Sequence, residues 1–163
     1  NIGVIGAGRI GRLHAENLVY RVPEARVLAV SDVRLEAARD CAAALGIAAV
    51  SDDPRKILYN KDIDAVLICS STDTHSPLIE AAAEAGKHIF CEKPIDFDLS
   101  RIDAALAKVA AAGVKLQIGF NRRIDHKFRR VREAVLGGNL GKLYSLRITS
   151  RDPAPPPIDY IKV

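Results

Sequence analysis

The chain is poor in aromatic residues and contains no long apolar stretch. Its 163 residues include four tyrosines, four phenylalanines and no tryptophan. So few aromatic side chains disfavour the base-stacking surface of a nucleic-acid-binding protein. No apolar run approaches the roughly 20 residues that a transmembrane helix requires. We therefore expect neither a nucleic acid nor a membrane as a partner.

Cysteine is also scarce in this chain. Cys41, Cys69 and Cys91 are odd in number and lack the spacing of metal ligands. Two of them lie in apolar, strand-like runs, which favours buried, reduced thiols in a cytosolic protein. Strand-like sequence begins at Ile2, and nothing resembling a signal or transit peptide precedes it. We expect a cytoplasmic protein, and no cluster of His, Cys and Asp residues predicts a metal site.

Apolar runs alternate with segments of helical periodicity from the first residue to about residue 140. Hydrophobic residues make up 48% of the chain and charged residues 27%, which is typical of a globular domain. The runs predict strands at residues 2–5, 27–31, 48–50, 65–70, 88–91 and 115–119. Helices are predicted at residues 9–20, 34–45, 53–59, 75–85 and 100–112, the last capped by Ser100 or Asp98. This alternation predicts an α/β fold, a doubly wound parallel sheet with helices on both faces.

The pattern changes after residue 138. Residues 143–149 have the composition of a strand, and Pro153, Pro155, Pro156 and Pro157 prevent regular structure beyond it. We interpret residues 1–120 as one domain, and residues 121–163 as a linking helix and the beginning of a truncated second α/β domain with an open sheet. Asn1 is an unusual first residue for a translated protein, which also indicates an incomplete chain. A complete small protein with an irregular tail is the alternative.

A glycine-rich turn follows the first predicted strand. Residues 6–11 read G-A-G-R-I-G and precede an amphipathic helix. Gly6 permits the tight turn, Gly8 lets the backbone approach a pyrophosphate, and Gly11 lets the helix pack closely on the strand. The diphosphate would rest on free N–H groups at the positive end of the helix dipole. The turn predicts a Rossmann-type dinucleotide-binding domain, with an ordinary turn that binds no ligand as the alternative.

Asp32 ends the second predicted strand, 21 residues beyond Gly11. A carboxylate at about this offset holds the ribose hydroxyls of the adenosine half of a dinucleotide. Its negative charge repels a 2′-phosphate, which favours NAD over NADP. Arg34 lies two residues further on and could pair with that phosphate, which keeps NADP open. The mild net charge of +4 is compatible with an anionic dinucleotide as partner.

The tripeptide Glu92-Lys93-Pro94 follows the fifth predicted strand. Ligands of open α/β sheets bind beyond the carboxyl ends of the strands. The Lys93 amine is therefore expected in the same crevice as the glycine turn, where it would exchange a proton with a substrate hydroxyl. Pro94 fixes the turn and permits a cis peptide bond. An exposed turn without a catalytic role is the alternative.

These motifs, together with C-S-S-T-D-T-H at residues 69–75 and Q-I-G-F-N-R-R at residues 117–123, resemble those of the Gfo/Idh/MocA oxidoreductases. Within that family the chain is similar to the inositol 2-dehydrogenases. The resemblance covers essentially the whole chain, in order and with matching spacing. It implies a dinucleotide-binding domain followed by an α/β substrate domain, NAD as the cofactor, and Lys93 in proton transfer. The family's other acid–base residues, an aspartate and a histidine of a D-x-x-x-H helix in the second domain, have no counterpart in this sequence.

The resemblance also implies a reaction, the NAD-dependent oxidation of a secondary alcohol of a cyclic polyol, first of all myo-inositol, to the ketone. The full-length enzyme is then expected to form a homo-oligomer, and the chain alone to be inactive. Another sugar or dihydrodiol oxidoreductase of the same family is one alternative. A non-catalytic, dinucleotide-binding regulatory protein is another, although a sensor has no need of the proton shuttle that the E-K-P tripeptide provides.

The expected cofactor-binding residues lie in the glycine turn, at the end of the second strand, and in the loops after the fourth, fifth and sixth strands. They are Gly6, Gly8, Arg9, Ile10, Gly11, Asp32, Val33, Arg34, Ser70, Ser71, Thr72, His75, Glu92, Lys93 and Asn121. Lys93 and Arg122 are expected to contact the polyol or sugar substrate. The alternative for His75 is a helix-start residue that faces solvent. His14, His88 and His126 have no partner spacing and are expected to be structural.

Residues 122–132 form the strongest basic segment of the chain. Ile124, Phe128, Val131 and Val135 recur there at helical spacing, which predicts an amphipathic helix with a charged outer face. A nucleic-acid-binding segment would require aromatic stacking residues or a groove-reading helix instead.

Overall fold

The computed structural model describes residues 1–151 and residue 155. Its contacts divide the chain into a compact unit, Asn1–Phe120, and a second unit that begins at Asn121. Within the described residues, every helix is too short or too polar to cross a membrane.

The first unit is built on a parallel sheet of six strands in the order β3-β2-β1-β4-β5-β6. Each pair of neighbouring strands is parallel. The strands are β1 (Ile2–Ile5), β2 (Val27–Ser31), β3 (Ala49–Ser51), β4 (Ala65–Ile68), β5 (His88–Cys91) and β6 (Leu116–Ile118). The chain starts at the middle of the sheet and winds outward first to one side and then to the other, which confirms the predicted doubly wound fold.

Helices connect the strands and cover both faces of the sheet. In the first unit they are α1 (Arg9–Arg21), α2 (Leu35–Leu45), α3 (Arg55–Leu58), α4 (His75–Glu84) and α5 (Leu99–Ala112). Side chains from α1 and α2 pack in one apolar cluster, and those from α3, α4 and α5 in another. Two separate apolar clusters on the two faces explain why the central strands β1 and β4 have no polar side chain along their length.

Successive residues of the central strands contribute to opposite clusters. Val4 belongs to the cluster with α1 and α2, whereas Ile5 belongs to the other. In β4, Leu67 and Ile68 divide in the same way. Side chains of a strand point alternately to its two faces, so each face of the sheet receives its own apolar layer.

The start of α5 resolves an alternative that the sequence leaves open. The carboxylate of Asp98 accepts a hydrogen bond from the Ser100 N–H at 2.8 Å. The backbone of Asp98 is extended, with φ −108° and ψ 124°, and the helix begins at Leu99. Asp98 is therefore the N-cap, because the cap residue lies outside the helical conformation that Ser100 already has.

The strand predicted at residues 143–149 is wrong. The described backbone there has no regular secondary structure, and Leu143, Tyr144, Leu146 and Ile148 are exposed. A strand requires a neighbour for its backbone hydrogen bonds, and among the described residues no strand pairs with this segment. Pro153, Pro156 and Pro157 lie outside the described residues.

The predicted basic helix consists of two helices in the second unit, α6 (Asn121–Ile124) and α7 (His126–Leu136). The division occurs at Asp125, whose carboxylate accepts hydrogen bonds from the Lys127 and Phe128 N–H groups at 2.9 and 3.2 Å. An aspartate in this position is a preferred N-cap, so a new helix begins where the periodicity alone predicted one continuous helix.

Candidate functional site

A crevice lies at the carboxyl ends of β1, β2 and β4, where the winding direction of the sheet reverses. Its cavity measures about 570 Å³. The expected residues that line it are Gly6, Gly8, Asp32, Val33, Arg34, Ser70 and Ser71; the lining also includes Pro54, Asp73, Thr74, Pro77 and Leu78, which sequence reasoning did not select. This edge of an open α/β sheet is where such folds bind ligands.

The glycines of the turn differ in what the protein itself requires of them. Gly6 has φ +97°, and a Cβ atom there would lie 2.5 Å from the carbonyl carbon of Cys69. A Cβ atom on Gly11 would lie 1.9 Å from the carbonyl oxygen of Gly6. Both glycines are therefore required by the packing of the turn against β4 and α1.

Gly8 is the exception among the three. It has φ −68°, which any residue can adopt. A Cβ atom built on it meets no other atom within 4 Å. Gly8 is also the N-cap of α1, which has no side-chain cap, so in the described structure no side chain competes for the first N–H groups of the helix. The open space above Gly8 lies in the crevice, where a bound group can approach the backbone.

Asp32 fixes the glycine turn as well as lining the crevice. One carboxylate oxygen accepts the Ala7 N–H at 2.7 Å, and the other accepts the Arg34 N–H at 2.9 Å. The Arg34 guanidinium lies 3.9 Å from the second oxygen, but its side chain is 76% exposed, against 11% for Asp32. A carboxylate offers about four acceptor positions, so Asp32 retains capacity for hydroxyl donors.

The loop after β4 is held by its own hydroxyl groups. The Ser70 and Thr74 hydroxyls are 2.6 Å apart, and the Thr74 hydroxyl donates to the Ser71 carbonyl at 2.7 Å. Thr72 begins a short 3₁₀ turn that leads into α4. This network gives the loop a defined shape at the mouth of the crevice.

The structure corrects the expectation that the His75 ring contacts a ligand. His75 is 2% exposed. Its Nδ1 lies 2.7 Å from the carbonyl oxygen of Pro94, and its Nε2 lies 3.0 Å from that of Ser70. Each ring nitrogen thus faces a backbone carbonyl oxygen, to one of which the single N–H of a neutral imidazole donates, and the ring does not face solvent.

Glu92, expected at a ribose hydroxyl, is paired with a histidine. His14 Nε2 lies 2.8 Å from Glu92 Oε1, and both side chains are partly buried. The His14 ring also packs edge-on against Phe90, with ring centroids 5.2 Å apart. Sequence reasoning missed this partner because His14 and Glu92 lie 78 positions apart. The one available signal was the position of His14 on the first turns of the glycine-motif helix.

Lys93 lies between two anchored residues and has an exposed side chain. The Lys93–Pro94 peptide bond is cis, which the sequence allowed. Beyond it, the buried Asp96 carboxylate accepts the Ser76 hydroxyl and the Phe97 N–H. Hydrogen bonding from Ser76, with smaller contributions from backbone N–H groups and Arg101, lowers the pKa of Asp96. The E-K-P turn is therefore attached to the start of α4 as well as to β5.

The remaining expected residues, Asn121 and Arg122, open α6 in the second unit. The Arg122 guanidinium lies over the Phe128 ring, 5.7 Å from its centroid, and donates to the Ser150 hydroxyl at 3.4 Å. Their roles toward cofactor and substrate remain predictions.

The described residues contain no group of three or more His, Cys, Asp or Glu side chains that could hold a metal ion. The three cysteines are free thiols. Burial raises the pKa of both Cys69 and Cys91 to about 12. Since the thiolate is the reactive form of cysteine, neither residue is a nucleophile near neutral pH, although Cys69 lines the crevice.

Comparison with known proteins identifies the family. Residues 1–120 match the profile of the oxidoreductase family GFO_IDH_MocA, described as having an NAD-binding Rossmann fold. The chain belongs to this oxidoreductase family. The assignment agrees with the crevice, because the family description names the ligand, NAD, that the glycine turn and Asp32 predict.

Relatives of this oxidoreductase chain include inositol dehydrogenases. The myo-inositol 2-dehydrogenase of Thermotoga maritima is 50% identical over 99% of the chain and 48% of that protein. The crystal structure of a probable dehydrogenase from Thermotoga maritima superposes with a TM-score of 0.94, at 50% identity, over 99% of the chain and 48% of its own. A scyllo-inositol dehydrogenase from Lactobacillus casei, with bound NAD(H) and scyllo-inositol, has a TM-score of 0.82 and 35% identity over 86% of this chain and 42% of its own.

The oxidoreductase chain spans about half the length of the relatives that it matches. The substrates that appear in the names of these relatives therefore belong to proteins about twice as long as this chain. The crevice, the glycine turn and the E-K-P turn all lie within the residues that the family profile matches.

Proposed function

We propose that this chain is the cofactor-binding part of an NAD-dependent dehydrogenase that oxidises a secondary alcohol of a cyclic polyol to the ketone. Myo-inositol is the leading candidate substrate. Membership of the oxidoreductase family supports the reaction class. Relatives named as myo-inositol and scyllo-inositol dehydrogenases support the choice of substrate.

The structural observation that supports the proposal most directly is the open space above Gly8. Gly6 and Gly11 are explained by the packing of the protein, but nothing in the described protein excludes a side chain from position 8. A glycine at the N-cap of a helix, beside an open crevice, suits a ligand that approaches the backbone closely. A diphosphate is such a ligand, because helix N–H groups and the helix dipole favour an anion at this place.

The adenosine half of the cofactor is assigned to the β1–β2 side of the crevice. Asp32 accepts the ribose hydroxyls with the acceptor positions that Ala7 and Arg34 leave free. Val33 and Arg34 line the same part of the cavity. The backbone of Arg9 and Ile10, in the first turn of α1, belongs to the diphosphate site.

The nicotinamide half is assigned to the side of β4 and β5. Ser70, Ser71 and Thr72 supply hydroxyl and backbone groups at the loop after β4, and Asn121 follows β6. The exposed Lys93 amine removes the proton of the substrate hydroxyl, and Arg122 contacts the polyol. When bound, NAD accepts the hydride from the carbon that carries this hydroxyl.

Two alternatives make different predictions. Another sugar or dihydrodiol oxidoreductase of the same family would keep the whole crevice and Lys93 but prefer a different alcohol. A non-catalytic regulatory protein would bind NAD and show no polyol turnover at full length. Contacts made by Glu92, Pro94 and Asp96 hold the backbone of the E-K-P turn in place. This turn favours an enzyme, because a sensor has no need of a proton-transfer group held in place.

The proposal is tested with the dehydrogenase that contains this chain, by following NADH formation with myo-inositol, scyllo-inositol and a panel of sugars. We expect inositol-dependent turnover that Lys93→Met lowers by about 10²–10⁴-fold, the usual contribution of a general base, with NAD affinity unchanged within a few-fold. Lys93→Arg is also expected to fail, since a guanidinium stays protonated. Lys61→Met, an exposed lysine before β4, is the matched control. Near-normal turnover by Lys93→Met would refute the role of this lysine.

We also propose that the full-length enzyme is a cytoplasmic homo-oligomer. The three free thiols support a reducing compartment. Fractionation of the source cells and the mass of the purified enzyme in solution test these two statements separately.

A further inference from the structure

Two histidines from different helices hold the residues on either side of Lys93. His14, on α1, bonds the carboxylate of Glu92, which precedes the lysine. His75, the first residue of α4, bonds the carbonyl of Pro94, which follows it. The sequence assigned a structural role to the first histidine and a ligand contact to the second, and it gave no reason to associate either with Lys93.

The contact of His14 links the E-K-P turn to the helix of the glycine motif. His14 Nε2 lies 2.8 Å from Glu92 Oε1, with the two side chains 28% and 20% exposed. The other carboxylate oxygen of Glu92 accepts the Lys93 N–H at 3.3 Å. A Cβ atom on Gly119 would lie 3.0 Å from Glu92 Oε1, so the carboxylate packs closely against the backbone just after β6. Glu92 is thus confined from α1 and from the end of β6, and one of its oxygens bonds the backbone of Lys93.

The contact of His75 links the same turn to the loop after β4. The ring is almost fully buried and bridges two carbonyl oxygens, of Pro94 at 2.7 Å and of Ser70 at 3.0 Å. Ser70 lines the crevice. The ring therefore sets the distance between the E-K-P turn and a wall of the cofactor site.

We propose that His14 and His75 are positioning residues for Lys93. Through Glu92 and Pro94 they fix the backbone of the lysine relative to α1, the glycine-motif helix, and to the start of α4, which follows the loop that carries Ser70. The inference rests on the proposed function of Lys93 in proton transfer. A displacement of about 1 Å at a reacting group costs about 100-fold in rate, so losing either anchor is expected to lower kcat by about 10- to 100-fold.

The chain allows each histidine to be tested with a disruptive and a conservative variant. His14→Leu removes the bond to Glu92 but keeps an apolar contact for Phe90, whereas His14→Gln places an amide N–H where Nε2 was. His75→Gln retains a donor at the Nε2 position, toward Ser70, and loses the Pro94 contact. His75→Asn retains a donor at the Nδ1 position, toward Pro94. His88→Leu is the matched control, because His88 accepts a backbone hydrogen bond from Lys115 at the opposite end of β5.

We expect His14→Leu and His75→Gln to lower the kcat of the complete dehydrogenase by about 10- to 100-fold, the cost expected of a displaced reacting group. NAD affinity should be nearly unchanged, and the thermal midpoint should fall by a similar amount in His75→Gln and His75→Asn, since each loses one contact of the buried ring. The kcat of His14→Gln, His75→Asn and His88→Leu should stay within a few-fold of the parent. Combining each disruptive variant with Lys93→Met should cause no further loss, because the effect acts through the lysine. Any of three results would overturn the proposal. They are an equal loss of kcat with and without Lys93, an equal loss of kcat in the conservative and disruptive variants, and no loss of kcat at all.

A readout that does not depend on turnover separates this inference from the proposed function. Amide hydrogen exchange over residues 92–97 of the chain itself should accelerate in His14→Leu and His75→Gln and not in His88→Leu, because the anchors of the turn are lost. Unchanged exchange at the turn would overturn the positioning role whatever the substrate is. Normal turnover of Lys93→Met alone would instead refute the proposed function, and accelerated exchange would still support the two anchors.

Discussion

At the scale of single residues, Asp32 combines a structural role with the binding role proposed for it, in one carboxylate. Its two oxygens accept the N–H groups of Ala7 and Arg34, at 2.7 and 2.9 Å. These bonds fix the glycine turn against the end of β2 before any ligand binds. The remaining acceptor positions can take ribose hydroxyls, and the charge opposes a 2′-phosphate. In the proposed function the same atoms shape the site and favour NAD.

Asp32→Ala should therefore weaken NAD binding and remove the preference over NADP. Hydrogen bonds to charged groups contribute about 1.5–3 kcal/mol, so we expect at least a tenfold rise in the Kd for NAD and a smaller change for NADP. Calorimetric titration of the chain with both cofactors measures this. Asp52→Ala, which removes an exposed carboxylate beyond β3, controls for charge. Tighter binding of NADP by the parent chain, with no effect of Asp32→Ala on NAD, would contradict the assignment.

Some residues of the site are predictable from sequence, and others are not, for a physical reason. The glycine turn, Asp32 and Lys93 each adjoin the carboxyl end of a strand, so the topology of a parallel sheet brings them to one edge. Gly6, Gly8 and Asp32 line the cavity, whereas Lys93 is not among its lining residues. The pairing of His14 with Glu92 depends on how α1 packs across the sheet. The burial of His75 depends on how the loops after β4 and β5 approach each other. Neither depends on a local pattern.

At the scale of elements, the apolar runs locate every strand of the sheet to within about two residues. The runs of β1, β2 and β4 at the middle of the sheet are largely buried, whereas those of the edge strands β3 and β6 are partly or largely exposed. The apolar pattern gave a wrong prediction at residues 143–149. A strand there would be buried only against a neighbouring strand, and the pattern of one segment does not show whether such a neighbour is present. It also missed Asp125, which divides the basic helix, because helical periodicity continues across the cap.

The attachment of the E-K-P turn to α4 gives an element-scale prediction about pH. Because Ser76 and backbone N–H groups lower the pKa of Asp96 in the folded chain, its carboxylate stabilises the fold above its unfolded pKa of about 3.9. This contribution is lost as the pH falls through the lower, folded pKa. Asp96→Asn should reduce the urea midpoint at pH 7, and the difference from the parent should shrink as the pH falls below about 4. A difference that stays constant with pH would contradict this account.

At the scale of the whole molecule, the crevice belongs to one compact unit, Asn1–Phe120. Every residue that lines the cavity lies within that unit. The chain spans about half the length of its relatives. The crevice assigned to the cofactor thus lies within the first unit, whereas substrate oxidation is proposed for the longer protein.

The chain of 163 residues is accordingly expected to bind NAD without oxidising inositol. Bound cofactor stabilises the folded state by RT ln(1 + c/Kd), where c is the NAD concentration, so above Kd the thermal midpoint should rise with the logarithm of that concentration. Inositol added with NAD should produce no NADH. Inositol-dependent NADH formation by this chain would show that its own residues complete the catalytic site.

The measurement that tests the central claim most directly is the NAD affinity of Gly8→Val. Any residue can adopt the backbone conformation of Gly8, and no protein atom lies within 4 Å of a Cβ there, so the chain should still fold, with only a modest fall in thermal midpoint because valine is a weaker N-cap residue than glycine. If a diphosphate uses this space, the Kd for NAD should rise more than about tenfold, or ~1.4 kcal/mol. Gly11→Ala should instead lower the thermal midpoint, because its Cβ would overlap the carbonyl of Gly6. Parental NAD affinity in a folded Gly8→Val chain would contradict the assignment of this crevice to the cofactor.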